Sequence, residues 1–127
     1  MKIKPRSAVL IVKHGQLLLI KRTKTGQPAY YVLPGGGIEA GESPEQAGIR
    51  ELREELGVDI TVENVVKDEQ TLERDTWIVT ASLKDGSEPN WQEKHKQTPD
   101  NRYEVVWIPV LRLAEIQIFP VGVTGLV

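Results

Sequence analysis

The 127-residue chain contains no cysteine, one methionine and one phenylalanine. Without thiols it can form no disulfide and cannot use a cysteine nucleophile. The absence of cysteine fits a protein of a reducing compartment. A chain of this length buries a core of its own without covalent cross-links, so we expect a single domain over residues 1–127.

Two further absences narrow the range of partners. No apolar stretch approaches the roughly 20 residues of a membrane-spanning helix, so we expect no membrane partner. The formal net charge is only −2, which argues against a nucleic acid duplex as partner, because phosphate neutralisation needs a basic patch. Basic residues precede the apolar run 8–12, but Lys13 and His14 interrupt it. This pattern favours a buried strand over a secretory signal, and we expect a cytoplasmic protein.

What the chain does contain is a clearly delimited helix after residue 42. Ser43 is a typical N-cap, Pro44 suits the first helical position, and Gln46 completes an S-x-x-Q capping box. Gly57 is a typical stop at the C-terminal end. These signals predict a helix of about 13 residues, an ordinary length for a globular protein.

The two faces of this predicted helix have opposite character at about 100° per residue. One face is apolar and suits a core: Ile49, Leu52 and Leu56. The other carries three carboxylates: Glu51, Glu54 and Glu55. Like charges at this spacing destabilise a helix by a few tenths of a kcal/mol per pair, so selection for stability alone would avoid them. Three hard oxygen donors on one face suit Mg²⁺ or Mn²⁺.

An isolated acidic run is more often a solvated helix face, with Arg50 and Arg53 as its surface partners. The segment immediately before the helix changes this interpretation. Residues 33–37 read Leu-Pro-Gly-Gly-Gly, and a glycine-rich bend lets backbone N–H and carbonyl groups approach a ligand closely. The acidic face and the glycine bend together favour a binding site.

Residues 36–58 follow the pattern G-x5-E-x7-R-E-L-x-E-E-x-G-V. This pattern resembles the signature box of the Nudix hydrolases at every fixed position: Gly36, Glu42, Arg50, Glu51, Leu52, Glu54, Glu55, Gly57 and Val58. The preceding Y-V-L-P-G-G is similar to the family's lead-in, with Tyr31 where an aromatic residue is common. The resemblance implies an α+β fold, namely a Nudix-type α/β/α sandwich with a mixed β-sheet. It also implies hydrolysis of a nucleoside diphosphate linked to another group.

The resemblance also assigns roles to box residues. The groups implied to hold Mg²⁺, with Mn²⁺ as the alternative, are the Gly36 carbonyl, Glu51, Glu54 and Glu55. Arg50 is implied to orient Glu51 through a charged hydrogen bond, and Glu42 to brace the loop against the helix or reach the metal through water. The general base stays open between a box glutamate, Glu51 or Glu54, and a carboxylate of the polar segment 85–102.

The expected substrate contacts lie in the loops around the box: Arg22, Tyr30, Gly35, Gly37, Trp91 and Asp100. A guanidinium such as that of Arg22 can grip a phosphate bidentately, although a solvated loop is the alternative. Tyr30 and Trp91 can stack on a nucleobase or simply anchor their loops. Asp100 is one of four acidic candidates from the 85–104 region, together with Glu88, Glu93 and Glu104.

The resemblance leaves the substrate open. A small nucleotide is expected, and a nucleoside triphosphate is favoured by default. The proline that marks many sugar-nucleotide hydrolases is missing, since Glu73 and Arg74 occupy its neighbourhood. An ADP-sugar or dinucleoside polyphosphate hydrolase and a non-catalytic nucleotide-sensing module remain alternatives. The lack of a basic stripe disfavours an RNA-end hydrolase, and a homodimer is allowed.

Alternating or continuous apolar runs predict strands in the rest of the chain. The predicted strands are 7–12 and 16–20, joined as a hairpin, then 30–33, 58–62, one centred on 77–79, and 103–110. Residues 85–102 are expected to form a long loop and residues 111–116 a short helix. The apolar tail 118–127 is expected to dock against the domain or a partner.

Overall fold

The structure, a computed structural model, describes residues 3–127 and, at Val121, the backbone only. Its strands are β1 (Arg6–Leu10), β2 (Val12–Lys13), β3 (Gln16–Lys24), β4 (Tyr30–Val32), β5 (Gly35–Gly37), β6 (Ile60–Lys67), β7 (Thr76–Leu83), β8 (Asn101–Pro109) and β9 (Ile118–Phe119). The α-helix is α1 (Pro44–Leu56). Three 3-10 segments complete the described elements: Lys94–Lys96, Val110–Glu115 and Val121–Gly125.

The strands form two sheets that both mix parallel and antiparallel pairs. In the first sheet, of order β5-β1-β7-β6, β1 runs parallel to β7 and antiparallel to β5. In the second sheet, β3 pairs with β8 over its full length and also with β2 and β4, while β9 runs parallel to β4. Mixed sheets with one α-helix give the α+β class that the sequence predicts.

The core has two parts, one on each face of β1. Ala8 and Leu10 belong to one buried cluster, and Val9 belongs to the other, because side chains alternate along a strand. The cluster around Val9 includes Leu52 and Leu56 of α1, so the predicted apolar helix face is confirmed. The opposite cluster includes residues from the end of the chain: Leu113, Ile118 and Val123. The outer layer on that side consists of 3-10 turns, where the sequence predicted a short helix at 111–116.

The helix boundaries follow the sequence signals. Ser43 is the N-cap, and its side chain and that of Gln46 form the predicted reciprocal capping box. Gly57 ends the helix with φ +67°, and its N–H donates to the carbonyl of Arg53. No helix in the described part of the chain is long and apolar enough to cross a membrane.

The predicted hairpin of 7–12 with 16–20 is wrong for most of its length. Only Val12 and Lys13 pair with β3, and the Ile11 carbonyl accepts one more hydrogen bond from the Leu18 N–H (3.0 Å). Residues 8–11 are all buried, so this run offers no solvent face, and β1 lies between β5 and β7 in the other sheet. A continuous apolar run shows that a strand is interior but does not identify its neighbours.

Candidate active site

The glycine segment before the helix forms a short strand, where the sequence predicted a bend. In β5, Gly35 pairs with Ala8 and Gly37 with Arg6 of β1. The φ of Gly35 is +147°, and a Cβ at this residue would overlap the backbone carbonyl oxygen of Ser7. Two independent constraints therefore require glycine here, which fixes the segment against the centre of the first sheet.

Gly36 lies directly beneath the carboxylate of Glu51. A Cβ on Gly36 would lie 2.5 and 2.6 Å from the two carboxylate oxygens of Glu51. The Glu51 side chain is only 16% exposed. The absence of a side chain at Gly36 therefore leaves room for the Glu51 carboxylate directly against the backbone.

Glu55, one turn further along α1, points to the same strand. Its carboxylate accepts a hydrogen bond from the Gly35 N–H (3.3 Å). Burial raises the pKa of the Glu55 carboxyl to about 7, a shift that the Gly35 N–H and the charge of Arg6 oppose and the charge of Glu51 increases. A cation bound next to this carboxylate would lower its pKa and favour its ionised form.

Arg50 connects the helix to the loop that precedes it. Its Nε and Nη2 donate to the two oxygens of Glu42 (2.8 and 2.9 Å), and Nη2 also donates to the Gly37 carbonyl (2.9 Å). The hydrogen bond to Glu51 that the resemblance implies is present, from Nη1 at 3.0 Å. Hydrogen bonding to Arg50 lowers the pKa of Glu42 to about 2. Glu42 also accepts from the Glu39 N–H (3.0 Å), so it braces the loop against α1.

Glu54 differs from the other two glutamates. Its side chain is 57% exposed and lies 3.3 Å from Nη1 of Arg50. It is not among the residues that line the cleft beside the glycine strand. The acidic face of α1 is therefore divided, with Glu51 and Glu55 turned toward β5 and Glu54 toward solvent.

Two adjoining cavities lie beside these residues. The first, which we name the carboxylate cleft, has a volume of about 320 Å³. The residues that line it include Arg6, Arg22, Gly35, Gly36, Gly37, Glu51, Glu55, Trp91, Lys96 and Tyr103.

The second cavity, which we name the arginine cavity, has a volume of about 470 Å³. Its lining residues are Arg6, Arg22, Val32, Gln70, Thr71, Glu73, Arg74, Thr76, Phe119 and Pro120. Arg6, Arg22 and Val32 line both.

Arg22 reaches the cleft from the end of β3. Its Nη2 donates to Oδ1 of Asn101 (3.2 Å) and to the hydroxyl of Tyr103 (2.7 Å). The guanidinium lies 4.3 Å from the ring centroid of Tyr103 and 5.7 Å from that of Tyr30. Tyr30 also contacts the edge of Phe119. Tyr30 thus packs on Arg22 and does not itself line the carboxylate cleft.

The long loop 85–102 is attached to the C-terminal end of α1. The N–H groups of Asn90 and Gln92 donate to the carbonyls of Leu56 (3.0 Å) and Glu55 (2.8 Å), which supplies partners for helix carbonyls that lack them. Trp91, between them, stacks on Tyr103 with ring centroids 4.6 Å apart and forms one wall of the cleft. The loop is therefore held next to Glu55, whose side chain lines the carboxylate cleft.

The structure does not bring Asp100 to the cleft. Asp100 is exposed and accepts a hydrogen bond from the hydroxyl of Thr25 (2.8 Å), at the far end of the β3–β8 pair. Asp100 comes directly before β8, and this position in the chain does not determine on which side of the loop its side chain lies. Of the four acidic candidates in this region, Glu93 is the one whose charge contributes to the raised pKa of Glu55.

Arg6 is a site residue that we did not predict. Its Nη2 donates to the Leu33 carbonyl (2.9 Å), and it lines both cavities. Burial lowers its pKa, and the negative charge of Glu55 opposes this change. In the sequence, the only sign of this role was that a basic residue begins an otherwise apolar strand, β1. Its importance became visible only through the pairing of β1 with β5.

The donor chemistry of the cleft fits a hard divalent cation in part. Carboxylate oxygens of Glu51 and Glu55 and the backbone of Gly36 meet at one wall, and such oxygen donors suit Mg²⁺. Among residues 3–127, however, no three His, Cys, Asp or Glu side chains are already grouped as metal ligands. Glu54 is not part of such a group, because its carboxylate lies beside Nη1 of Arg50 (3.3 Å) and does not line the cleft.

Comparisons with known proteins agree with this architecture. The fold is that of MutT-like proteins: the solution structure of the E. coli ORF135 protein matches with a TM-score of 0.67 at 25% identity, over 97% of this chain and 85% of the other. The crystal structure of the MutT NUDIX hydrolase from Burkholderia pseudomallei matches with a TM-score of 0.65 at 25% identity, over 95% and 94%. The model of the NUDIX domain matches residues 2–121. The chain belongs to the NUDIX domain family.

Curated relatives share shorter regions with this chain. An 8-oxo-dGTP diphosphatase from Proteus vulgaris is 38% identical over 61 residues, which cover 47% of this chain and 54% of the relative. A CTP pyrophosphohydrolase from Escherichia coli K12 is 41% identical over 64 residues, 50% of this chain and 47% of the relative. The matches thus span about half the length of these relatives, whose named substrates differ from each other.

Proposed function

We propose that the protein is a Mg²⁺-dependent pyrophosphohydrolase that cleaves a phosphoanhydride bond in a nucleoside diphosphate linked to another group. The observation that carries this proposal is the arrangement of the intact box, with Glu51 and Glu55 facing Gly35 and Gly36 across one cleft. The names of the relatives support the same reaction class, since both act on nucleotide pyrophosphate bonds.

In this proposal Glu51, Glu54, Glu55 and the Gly36 carbonyl would hold Mg²⁺. A bound divalent cation neutralises phosphate charge and orients a water molecule for in-line attack. Arg50 keeps the Glu51 carboxylate in position through the hydrogen bond of 3.0 Å.

The other polar residues of the cleft act on the substrate and the water. Arg6 and Arg22 provide guanidinium groups for non-bridging phosphate oxygens. We propose Glu51 or Glu54 as the group that accepts the proton from the attacking water. Glu93 is the alternative from the long loop, because its charge acts on Glu55. Trp91 limits the access of bulk water from one side.

The test of the function is a screen of nucleoside triphosphates, nucleoside diphosphate sugars and dinucleoside polyphosphates, read as released phosphate or pyrophosphate. Turnover is expected with Mg²⁺ or Mn²⁺ and is expected to stop on addition of EDTA, because the phosphate charge is then no longer neutralised. Nucleotide binding without turnover of any compound by folded protein would instead indicate a nucleotide-sensing module.

Replacing Arg50 with lysine is expected to lower kcat or the affinity for Mg²⁺ by roughly 10- to 100-fold, the usual effect of losing a residue that orients a metal ligand. Lysine keeps the charge but cannot donate to Glu42, Glu51 and the Gly37 carbonyl together. The measurement is kcat as a function of Mg²⁺ concentration.

Arg53→Lys on the same helix is the control for this substitution. Arg53 is exposed and pairs with Asp59 (2.6 Å), away from the cleft. Arg53→Lys should leave the dependence of kcat on Mg²⁺ concentration unchanged. An equal loss in both variants would show that Arg50 contributes only to helix stability.

A further inference from the structure

The long loop 85–102 returns to the second sheet through a tight turn at residues 98–101. The N–H of Thr98 donates to the Asn101 carbonyl (3.0 Å), and the N–H of Asn101 donates to the Thr98 carbonyl (3.2 Å). These two residues are a hydrogen-bonded antiparallel pair closed by a two-residue turn. In a regular hairpin the next hydrogen-bonded pair would join the backbones of Lys96 and Tyr103, because only every second pair is hydrogen-bonded.

The side chain of Gln97 takes the place of that second pair. Its Oε1 accepts a hydrogen bond from the Tyr103 N–H (2.8 Å), and its Nε2 donates to the Tyr103 carbonyl (2.6 Å). A carboxamide has one acceptor and two donors, so it can satisfy both backbone groups of one residue. Tyr103 therefore has backbone partners at the edge of β8 that faces away from β3, and they come from a side chain instead of a strand.

Because a side chain pairs with Tyr103, the backbone before Gln97 does not continue along β8. Residues Lys94–Lys96 instead form a 3-10 turn. The N–H of Lys96 donates to the Glu93 carbonyl (3.0 Å), and the N–H of Gln97 donates to the Lys94 carbonyl (3.0 Å). This turn brings Lys96 to the wall of the carboxylate cleft. The position of Lys96 therefore depends on the pairing of Gln97 with Tyr103.

Lys96 brings a positive charge from the long loop to the cleft. It is the one lysine among the lining residues, which also include Glu51 and Glu55. Its ammonium lies 3.1 Å from Oε2 of Glu93, and its side chain is 45% exposed. An ion pair at this exposure contributes little to stability, so the ammonium can exchange Glu93 for another anion at small cost.

Tyr103 connects the same pairing to the aromatic wall of the cleft. Its ring stacks on Trp91, and its hydroxyl accepts a hydrogen bond from Arg22 (2.7 Å). Gln97 itself is not among the residues that line the cleft. Any effect of Gln97 on a bound molecule must therefore pass through the neighbours that it holds in place.

We propose that Gln97 is a positioning residue. By pairing with Tyr103 through its side chain, it ends the 98–101 hairpin early and holds Lys96 in the carboxylate cleft, where Lys96 contacts an oxygen of the substrate's diphosphate. The contact between Lys96 and the substrate rests on the proposed function. The placement of Lys96 by Gln97 does not.

The placement is tested by amide hydrogen exchange in Gln97→Met, measured by NMR. Methionine is similar in size to glutamine but cannot form either hydrogen bond to Tyr103. The Tyr103 N–H is expected to exchange roughly five- to tenfold faster than in the wild type, the usual effect of losing one hydrogen bond. The Val106 N–H is the internal control, because the alternation along β8 directs it toward β3, and it should keep its wild-type rate.

An unchanged exchange rate at Tyr103 would overturn the role of Gln97. An equal rise at Tyr103 and Val106 would also overturn it, since Gln97 would then stabilise the whole strand and not one position. Circular dichroism establishes that each variant is folded.

The effect on the cleft is tested by kcat and KM for a nucleotide that the wild type hydrolyses. Lys96→Met and Gln97→Met are each expected to raise KM by about tenfold with little change in kcat, because a contact made already in the bound ground state is lost. The variant with both substitutions should resemble Lys96→Met alone, because Gln97 acts through Lys96. Gln16→Met is the control, since Gln16 is exposed at the opposite end of the β3–β8 pair.

The kinetic outcomes separate the steps of the proposal. Additive losses in the double variant would overturn the action of Gln97 through Lys96. A wild-type KM in Lys96→Met would overturn the contact between Lys96 and the substrate. If the wild type hydrolyses no compound of the nucleotide screen while exchange at Tyr103 still depends on Gln97, the placement stands and the proposed function fails.

Discussion

Replacing Glu55 with glutamine is expected to lower Mg²⁺-dependent turnover at least about 100-fold, the consequence of losing several kcal/mol of charge stabilisation at a metal site. The amide has nearly the same shape and can still accept the hydrogen bond from the Gly35 N–H. It lacks the negative charge that a cation in the carboxylate cleft requires. The measurement is kcat at saturating nucleotide over a series of Mg²⁺ concentrations.

The same substitution should not weaken the fold. Because the pKa of Glu55 is raised to about 7, its contribution favours folding only while it is protonated and is lost as the pH rises toward 7. In EDTA at pH 8, Glu55→Gln should therefore be at least as stable as the wild type in urea. This separates an effect on activity from an effect on folding.

Glu45→Gln is the matched control for Glu55→Gln. Glu45 is exposed in the first turn of the same helix and does not line the carboxylate cleft. The Glu45→Gln variant should retain wild-type turnover. Turnover by Glu55→Gln close to that of the control would contradict the assignment of Glu55 to the metal site.

Replacing Gly35 with alanine is expected to lower the free energy of unfolding by at least about 3 kcal/mol. The φ of +147° is strained for any L-residue with a side chain, and the new Cβ would overlap the Ser7 carbonyl oxygen. The first effect strains the backbone at residue 35, and the second pushes β5 away from β1. For a domain of this size the melting temperature should fall by roughly 10 °C or more, as measured by thermal denaturation.

Gly41→Ala separates the two causes. Gly41 also has a positive φ, +79°, but no atom lies within 4 Å of the position its Cβ would take. Its substitution should cost only about 1–2 kcal/mol, the cost of the backbone conformation. Equal losses at Gly35 and Gly41 would mean that β5 can move away from Ser7 without cost.

Local chemistry made the acidic helix predictable. Ser43, Gln46 and Gly57 act on backbone groups within a few residues of themselves, so their roles do not depend on distant parts of the chain. The apolar side of α1 follows from its period alone. The resemblance of the box to a known family therefore agreed with what the residues indicated by themselves.

Strand partners and loop contacts were not predictable in this way. The sequence showed that residues 8–11 are interior but not that β1 pairs with the glycine strand and β7. It likewise gave no reason to prefer Glu93 over Asp100. These features depend on pairings across long separations, which local periodicity does not encode.

The sequence alone determined the helix, its carboxylates and the glycines that precede it, because their spacing and end signals are local. Only the tertiary structure decided that Glu54 turns away from the cleft while Glu51 and Glu55 enter it. It also decided that Arg6, Arg22 and Arg74 meet in one cavity. The physical reason is that these arginines lie on separate strands and loops, and only sheet pairing brings their charges together.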